Sequence, residues 1–207
     1  MATGGANNGG VTFDTKQMLG IYGGTLALCG LLNSGPVKII ALINDSSVWW
    51  HVLGTALIVI ALPCIAAVKQ PASFAFTSFA DNSEETGVYN PGYIFFLGLL
   101  MSQWTITGFD ASAHMSEETT GAALAAPYGI LSAVGASAVI GWAYIFALVF
   151  CIQDPSNLFN PDSATGGALP VFQIFWDVFQ SKWGSGKASL VLAVFPLIAA
   201  LYATPFA

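Results

Sequence analysis

The residues best suited to chemistry sit in one run, Trp104 to Glu118, reading WTITGFDASAHMSEE. Asp110 and His114 are four apart and would share one face of a helix. With Glu117 and Glu118 beyond them, they could suggest a metal site in an intramembrane enzyme. His51 is the only other histidine, and no HExxH or Ser/His pattern occurs, so no metal, no cofactor and no enzymatic activity are expected. A different chemistry comes from Thr107-Gly108. Glycine accepts non-helical angles and leaves the backbone accessible, so a helix is expected to open there. Carbonyls freed at the end of the first half-helix carry partial negative charge and suit an ammonium group. Free N–H groups at the start of the second half-helix, near Phe109 or Asp110, suit an anion. Together they would receive a zwitterion. Trp104 could stack over an aliphatic or cationic group. Asp110 either titrates in a partly dry site, coupling binding to protons, or caps the second half-helix.

These residues must be held by membrane helices. The chain of 207 residues is 55% hydrophobic and 8% charged, with a mean hydropathy of +0.70. Soluble domains carry about 25% charged residues. The composition therefore predicts an all-α, polytopic membrane protein with the lipid bilayer as a partner. Five lysines and no arginine leave no basic patch for nucleic acid. Cys29, Cys64 and Cys151 lie in apolar runs without metal or CxxC spacing and read as reduced packing residues. MATGGANNGG lacks a basic region followed by an apolar one, which argues against a cleaved signal peptide.

Residues 1–207 read as a single transmembrane unit with about five spans, 16–33, 48–68, 92–113, 128–152 and 188–204. Gly20 and Gly24, and again Ala133, Ser137 and Gly141, are small-residue faces suited to close helix packing. Trp49 and Trp50 open the second span as interfacial aromatics, and Pro63 is expected to kink it. His51 is expected to hydrogen-bond locally, with a proton relay as the other reading. Ser34–Ser47 reads as a turn around a short interfacial helix in VKIIALIN, and Lys69–Gly92 as a polar loop whose Asp81, Glu84 and Glu85 are solvated. VFQIFWDVFQ, 171–180, places Val171, Ile174, Phe175 and Val178 on one face of a loop helix too short to span. The carboxylate, glycine and threonines within the 92–113 span are costly in lipid. A glycine-interrupted span of this kind is the usual sequence pointer to a transporter's substrate site.

TGFDASAHMSEET followed by APYGILSA resembles the sixth and seventh helices of permeases of the amino acid–polyamine–organocation superfamily. GLLMSQWTITGFDASAHMSEET, LLNSGPVKIIALINDSSVWWHVLG and SKWGSGK are similar to the plant and algal bidirectional amino-acid transporters, beside the GABA and choline permeases. The resemblance implies a partial inverted-repeat (LeuT-like) transporter fold, a helical bundle with helices one and six broken around the substrate. The spans here would be helices four to eight. It implies transmembrane transport of an amino acid or GABA by a secondary carrier, with Asp110 at the acidic position just after the unwound region. Trp104, Thr105, Thr107, Gly108 and Phe109 would face substrate, and Glu117 and Glu118 would belong to an intracellular gate loop. Where the family carries a basic residue after EET this chain has Thr120, which removes an ion pair there. Lysine positions alone would put the N-terminal side in the cytoplasm; the resemblance implies the opposite, and the expected orientation follows it. Helix one, which holds the substrate carboxylate in this family, is not in the chain. The chain is thus expected to be a fragment with half a site that does not transport alone, a truncated gene model or splice product. The alternatives are a quaternary-amine (choline) permease, or a non-transporting isoform that regulates a full-length partner. Plasma and organelle membranes both stay open.

Overall fold

The structure, a computed structural model, describes residues 14–77, 87–117 and 119–203, without the side chains of residues 101, 102, 104, 105 and 203. The described residues form eight α-helices, short 3-10 turns and no strand. The chain divides into two compact units, residues 1–72 with 146–207, and residues 73–145.

In the first unit, α1 spans Thr15–Asn33 and α2 spans Val37–Ile65. Asp14 starts α1 with a capping box, its carboxylate accepting from the Thr15 N–H at 2.8 Å while its own N–H donates to Gln17 Oε1 at 3.1 Å. The expected turn at Ser34–Ser47 is corrected. The chain turns only at Ser34–Pro36, and VKIIALIN forms the first turns of one 29-residue helix. At 1.5 Å per residue that helix is about 43 Å long. Nothing between Val37 and Trp50 breaks it, because the polar residues Asn44–Ser47 contain neither Gly nor Pro. Ser46 donates to the Ile43 carbonyl at 2.8 Å instead. His51 Nδ1 lies 2.7 Å from the Ser47 carbonyl, which is the local bond expected of it. Cys151 is buried, but Cys64 lies exposed on α2 rather than packed.

Helix α7, Pro170–Trp183, lies in the same unit and is longer than the ten residues expected. Pro170 suits its first turn, and Gly184 ends it with φ +69°. Ile174, Phe175, Val178 and Phe179 are buried on one face; Val171 is only half-buried. Gly186 lets the following 3-10 turn pass beneath α7, since a Cβ there would run into the Trp176 ring. The last helix, α8, spans Leu190–Ala203 and packs on α2. The Trp50 indole N–H donates to the Phe195 carbonyl at 3.1 Å and its ring stacks on Phe195 at 5.1 Å. Gly54, one turn on, makes room for that ring, its missing Cβ falling 3.0 Å from Phe195 Cδ1.

Side-chain amides tie the loop after α2 to the chain at 150–153. Gln70 donates its backbone N–H to the Phe150 carbonyl and its side-chain N–H to the Ile152 carbonyl, both at 2.9 Å. Gln153 donates to the carbonyls of Val68 and Cys151 at 2.9 Å and accepts from the Val68 N–H at 3.4 Å. The bond to Phe150 satisfies a carbonyl that a helix end leaves without an internal donor; the others pair carbonyls of the connecting segments.

A polar chain joins the 154–169 loop to α7. Thr165 donates its N–H and hydroxyl to Gln173 Oε1, each at 3.0 Å. Gln173 Nε2 donates to Asp177 at 2.7 Å, and Asn157 donates to both oxygens of the same carboxylate. Burial raises the Asp177 pKa above the usual carboxylate value; the Gln173 and Asn157 donors oppose this, and Asp154 adds to it. A raised folded-state pKa means that the folded form holds the proton to higher pH than the unfolded chain does. Stability from this group is complete below the unfolded value of about 3.9 and is lost as pH rises through the folded value. Protection of α7 amides against hydrogen exchange is therefore expected to strengthen as pH falls from neutral towards 4. Asp177→Asn is expected to remove that dependence; an unaltered profile would refute the assignment.

The second unit holds α3, Ala72–Thr77, which starts at the unit boundary in a segment expected to be loop. Asp81, Glu84 and Glu85 lie outside the described residues. Helix α4 spans Pro91–Thr105, α5 spans Ala111–His114, and α6, Ala122–Phe150, runs 29 residues with Pro127 inside it. Among the described residues, α2 and α6 are long and apolar enough to cross a membrane. Pro91–Leu100 and Gly186–Tyr202 are shorter apolar helices.

Candidate functional site

The expected 92–113 span is not one helix. It stops at Thr105, passes through a turn at 106–110, and resumes for a single turn at Ala111–His114 before the 3-10 turn Met115–Glu117. Gly108 has φ +87°, a left-handed angle that residues with a Cβ adopt only at a cost. Three-residue turns carry the chain through it. The Ile106 N–H donates to the Gln103 carbonyl and the Phe109 N–H to the Ile106 carbonyl, both at 3.3 Å, and the Ala111 N–H to the Gly108 carbonyl at 3.1 Å. Among the described residues no hydrogen bond engages the N–H groups of Thr107 and Gly108 or the Thr107 carbonyl. The break thus offers both donors and an acceptor. The second half-helix is one turn long, so its dipole contributes less than a long helix would.

Asp110 occupies the N-cap position of α5, but its side chain makes no capping bond. Its Oδ2 instead lies 3.1 Å from His114 Nε2. Asp110 and His114 are thus brought together, as helical spacing predicts. Glu117 stands exposed in the 3-10 turn, and among the described residues no third His, Cys, Asp or Glu joins that pair. Phe109 is exposed beside the break. Thr107 donates its hydroxyl proton to the Gln103 carbonyl at 3.2 Å. The side chains of Trp104 and Thr105, and Glu118 altogether, lie outside the described residues.

The sequence reading of the site missed the contribution of α6. A cavity of about 220 Å³ lies beside the break, lined by residues 106–109 on one side and by Ala133, Val134 and Ser137 of α6 on the other. Gly129 lies one turn before Ala133, and its backbone is pressed against Ser112. A Cβ at 129 would overlap the Ser112 hydroxyl and fall 2.8 Å from Ser112 Cβ. Gly129, Ala133 and Ser137 recur every four residues on one face, and their small size lets the broken segment approach. The available signal is the small-residue spacing, which by itself points to helix packing. Gly129→Val is expected to destabilise this contact by about 1–3 kcal/mol. Thermal melting of the complete, detergent-solubilised chain checks it, and an unchanged midpoint would contradict the packing described.

An all-helical chain with long apolar helices and one helix opened at a glycine beside a small cavity has the build of a membrane carrier. A family model described as amino acid permease matches residues 4–204, and the chain belongs to that family. It is an integral membrane protein of the amino acid–polyamine–organocation superfamily. It is similar to the amino-acid permease BAT1 of Arabidopsis thaliana, 39% identical over 92% of this chain and 37% of that protein. It is also similar to the BAT1 homolog of Oryza sativa, 39% identical over 77% of this chain and 30% of the other. The GABA-specific permease of Saccharomyces cerevisiae is 30% identical over 89% of this chain and 32% of its own length. The chain spans about a third of the length of these relatives. No solved structure matches it significantly.

Proposed function

We propose that this chain supplies the broken-helix half of a substrate site in a secondary carrier of amino acids or GABA. The observation that carries the reading is the open backbone at 106–110, with Gly108 at φ +87° beside a cavity of about 220 Å³. The N–H and C=O groups of this turn that have no partner among the described residues need one at membrane depth, and a zwitterion supplies both complements. Thr107, Gly108 and Phe109 border that cavity, and Trp104 and Thr105 are the residues just before the turn. No covalent step is required; binding and release do the work. Uptake of radiolabelled amino acids and GABA into proteoliposomes holding the complete chain tests this. Accumulation above protein-free vesicles is expected, and its absence across the whole panel would refute the reading.

Asp110 is the group proposed to couple transport to protons. Its carboxylate pairs with His114 rather than capping α5, so its replacement leaves the bonds of the helix end as they are. Asp110→Asn is expected to flatten the pH dependence of uptake. A profile identical to that of the unaltered carrier would return Asp110 to a structural role. Glu117 and Glu118 are proposed as contacts of the intracellular gate loop.

A further inference from the structure

Among the described residues, the cavity beside the helix break has two side-chain hydroxyls on its walls, those of Thr107 and Ser137, and no charged side chain. Thr107 has already given its proton to the Gln103 carbonyl, so it can meet a ligand only as an acceptor. The Ser137 hydroxyl makes no hydrogen bond among the described residues, and can both donate and accept. Ser137 stands two turns along α6 from Gly129, on the face that approaches the broken segment. A ligand whose ammonium and carboxylate groups meet the opened backbone would therefore send its side chain towards α6. There it finds Ala133, Val134 and one uncommitted hydroxyl. A charged side chain entering this wall would be desolvated without a counter-charge. A neutral polar one would find a partner, and an apolar isostere would leave the serine unpaired.

Building on the transport reading above, we propose that Ser137 is a specificity-determining residue: its hydroxyl bonds a neutral polar group on the substrate side chain. The carrier then favours a hydroxyl-bearing amino acid over its methyl isostere. The test is competitive uptake of threonine and valine by the complete carrier in proteoliposomes, with protein content measured in each preparation. The unaltered carrier is expected to prefer threonine. Ser137→Ala is expected to lower the threonine-to-valine ratio of Vmax/KM about two- to tenfold, the range of one neutral hydrogen bond, because threonine uptake falls relative to valine uptake. Ser137→Thr, which keeps the hydroxyl, should retain the preference. Should the alanine variant not reach the membrane, Ser137→Cys removes most of the same bond at nearly the same size and carries the same expectation. An unaltered carrier that does not favour threonine, an unchanged ratio, or an equal fall for both substrates would overturn the role of Ser137 and leave the transport reading standing. No uptake of any amino acid or GABA by the unaltered carrier would overturn both.

Discussion

Gly108→Leu in the complete carrier is expected to abolish uptake while membrane insertion stays intact. Gly108 sits at φ +87°, where a side chain costs roughly 1–2 kcal/mol. That cost alone corresponds to about a tenfold change in an equilibrium, since 1.36 kcal/mol is tenfold. No heavy atom lies within 4 Å of where a Cβ would be, so a side chain there starts in open space, and Gly108 itself lines the cavity that a leucine would partly fill. Backbone strain and loss of ligand volume act together. Gly108→Ala separates them, because it keeps the strain but fills little space, and should retain measurable uptake. Initial uptake rate normalised to surface-labelled protein reads both variants. Normal uptake by Gly108→Leu would mean that the glycine turn has no part in binding.

The largest expected loss of stability is at Phe175. Its side chain has no exposed surface, and among the described residues it is the largest that is fully buried, alongside Leu62, Gln173, Val178 and Cys151. Its ring meets Phe172 edge-on at 6.1 Å. Phe175→Ala removes the centre of the α7 packing and is expected to cost about 3–5 kcal/mol, from lost burial and the cavity left behind. Leu62→Ala, on the buried side of α2, should cost about 2–5 kcal/mol by the same mechanism. Thermal unfolding of the complete chain in detergent measures both. If Phe175→Ala melts with the unaltered protein, α7 is not held by its apolar face.

The helix break was legible because its signal is local. A glycine and a carboxylate within an apolar span are costly unless backbone or cavity uses them, and Gly108 is where the helix lets go. The loop helix at α7 was legible for a similar reason, since Ile174, Phe175 and Val178 recur at helical spacing. The start of α2 was not. Asn44–Ser47 has the composition of a turn, and only the structure shows those side chains turned back on their own helix or left exposed. The contribution of α6 to the site could not be found from Ser137 itself, because a small residue at helical spacing looks the same whether it packs on a helix or borders a cavity. Gln70 and Gln153 were invisible for another reason: their partners lie 82 and 85 residues away, and no sequence pattern marks such a pair.

The Gln153 amide meets both main-chain groups of Val68, accepting from its N–H at 3.4 Å and donating to its C=O at 2.9 Å. In effect it imitates a neighbouring peptide unit, forming a one-residue bridge with a side chain in the place of a second strand. Such a bridge is blind to the side chain at position 68, where the valine is itself exposed. Position 68 can therefore accept almost any residue in evolution except proline, which lacks the N–H. Position 153 faces the opposite rule: glutamate there would match glutamine in size but turn a donor into a second acceptor, setting a carboxylate against the carbonyls of Val68 and Cys151.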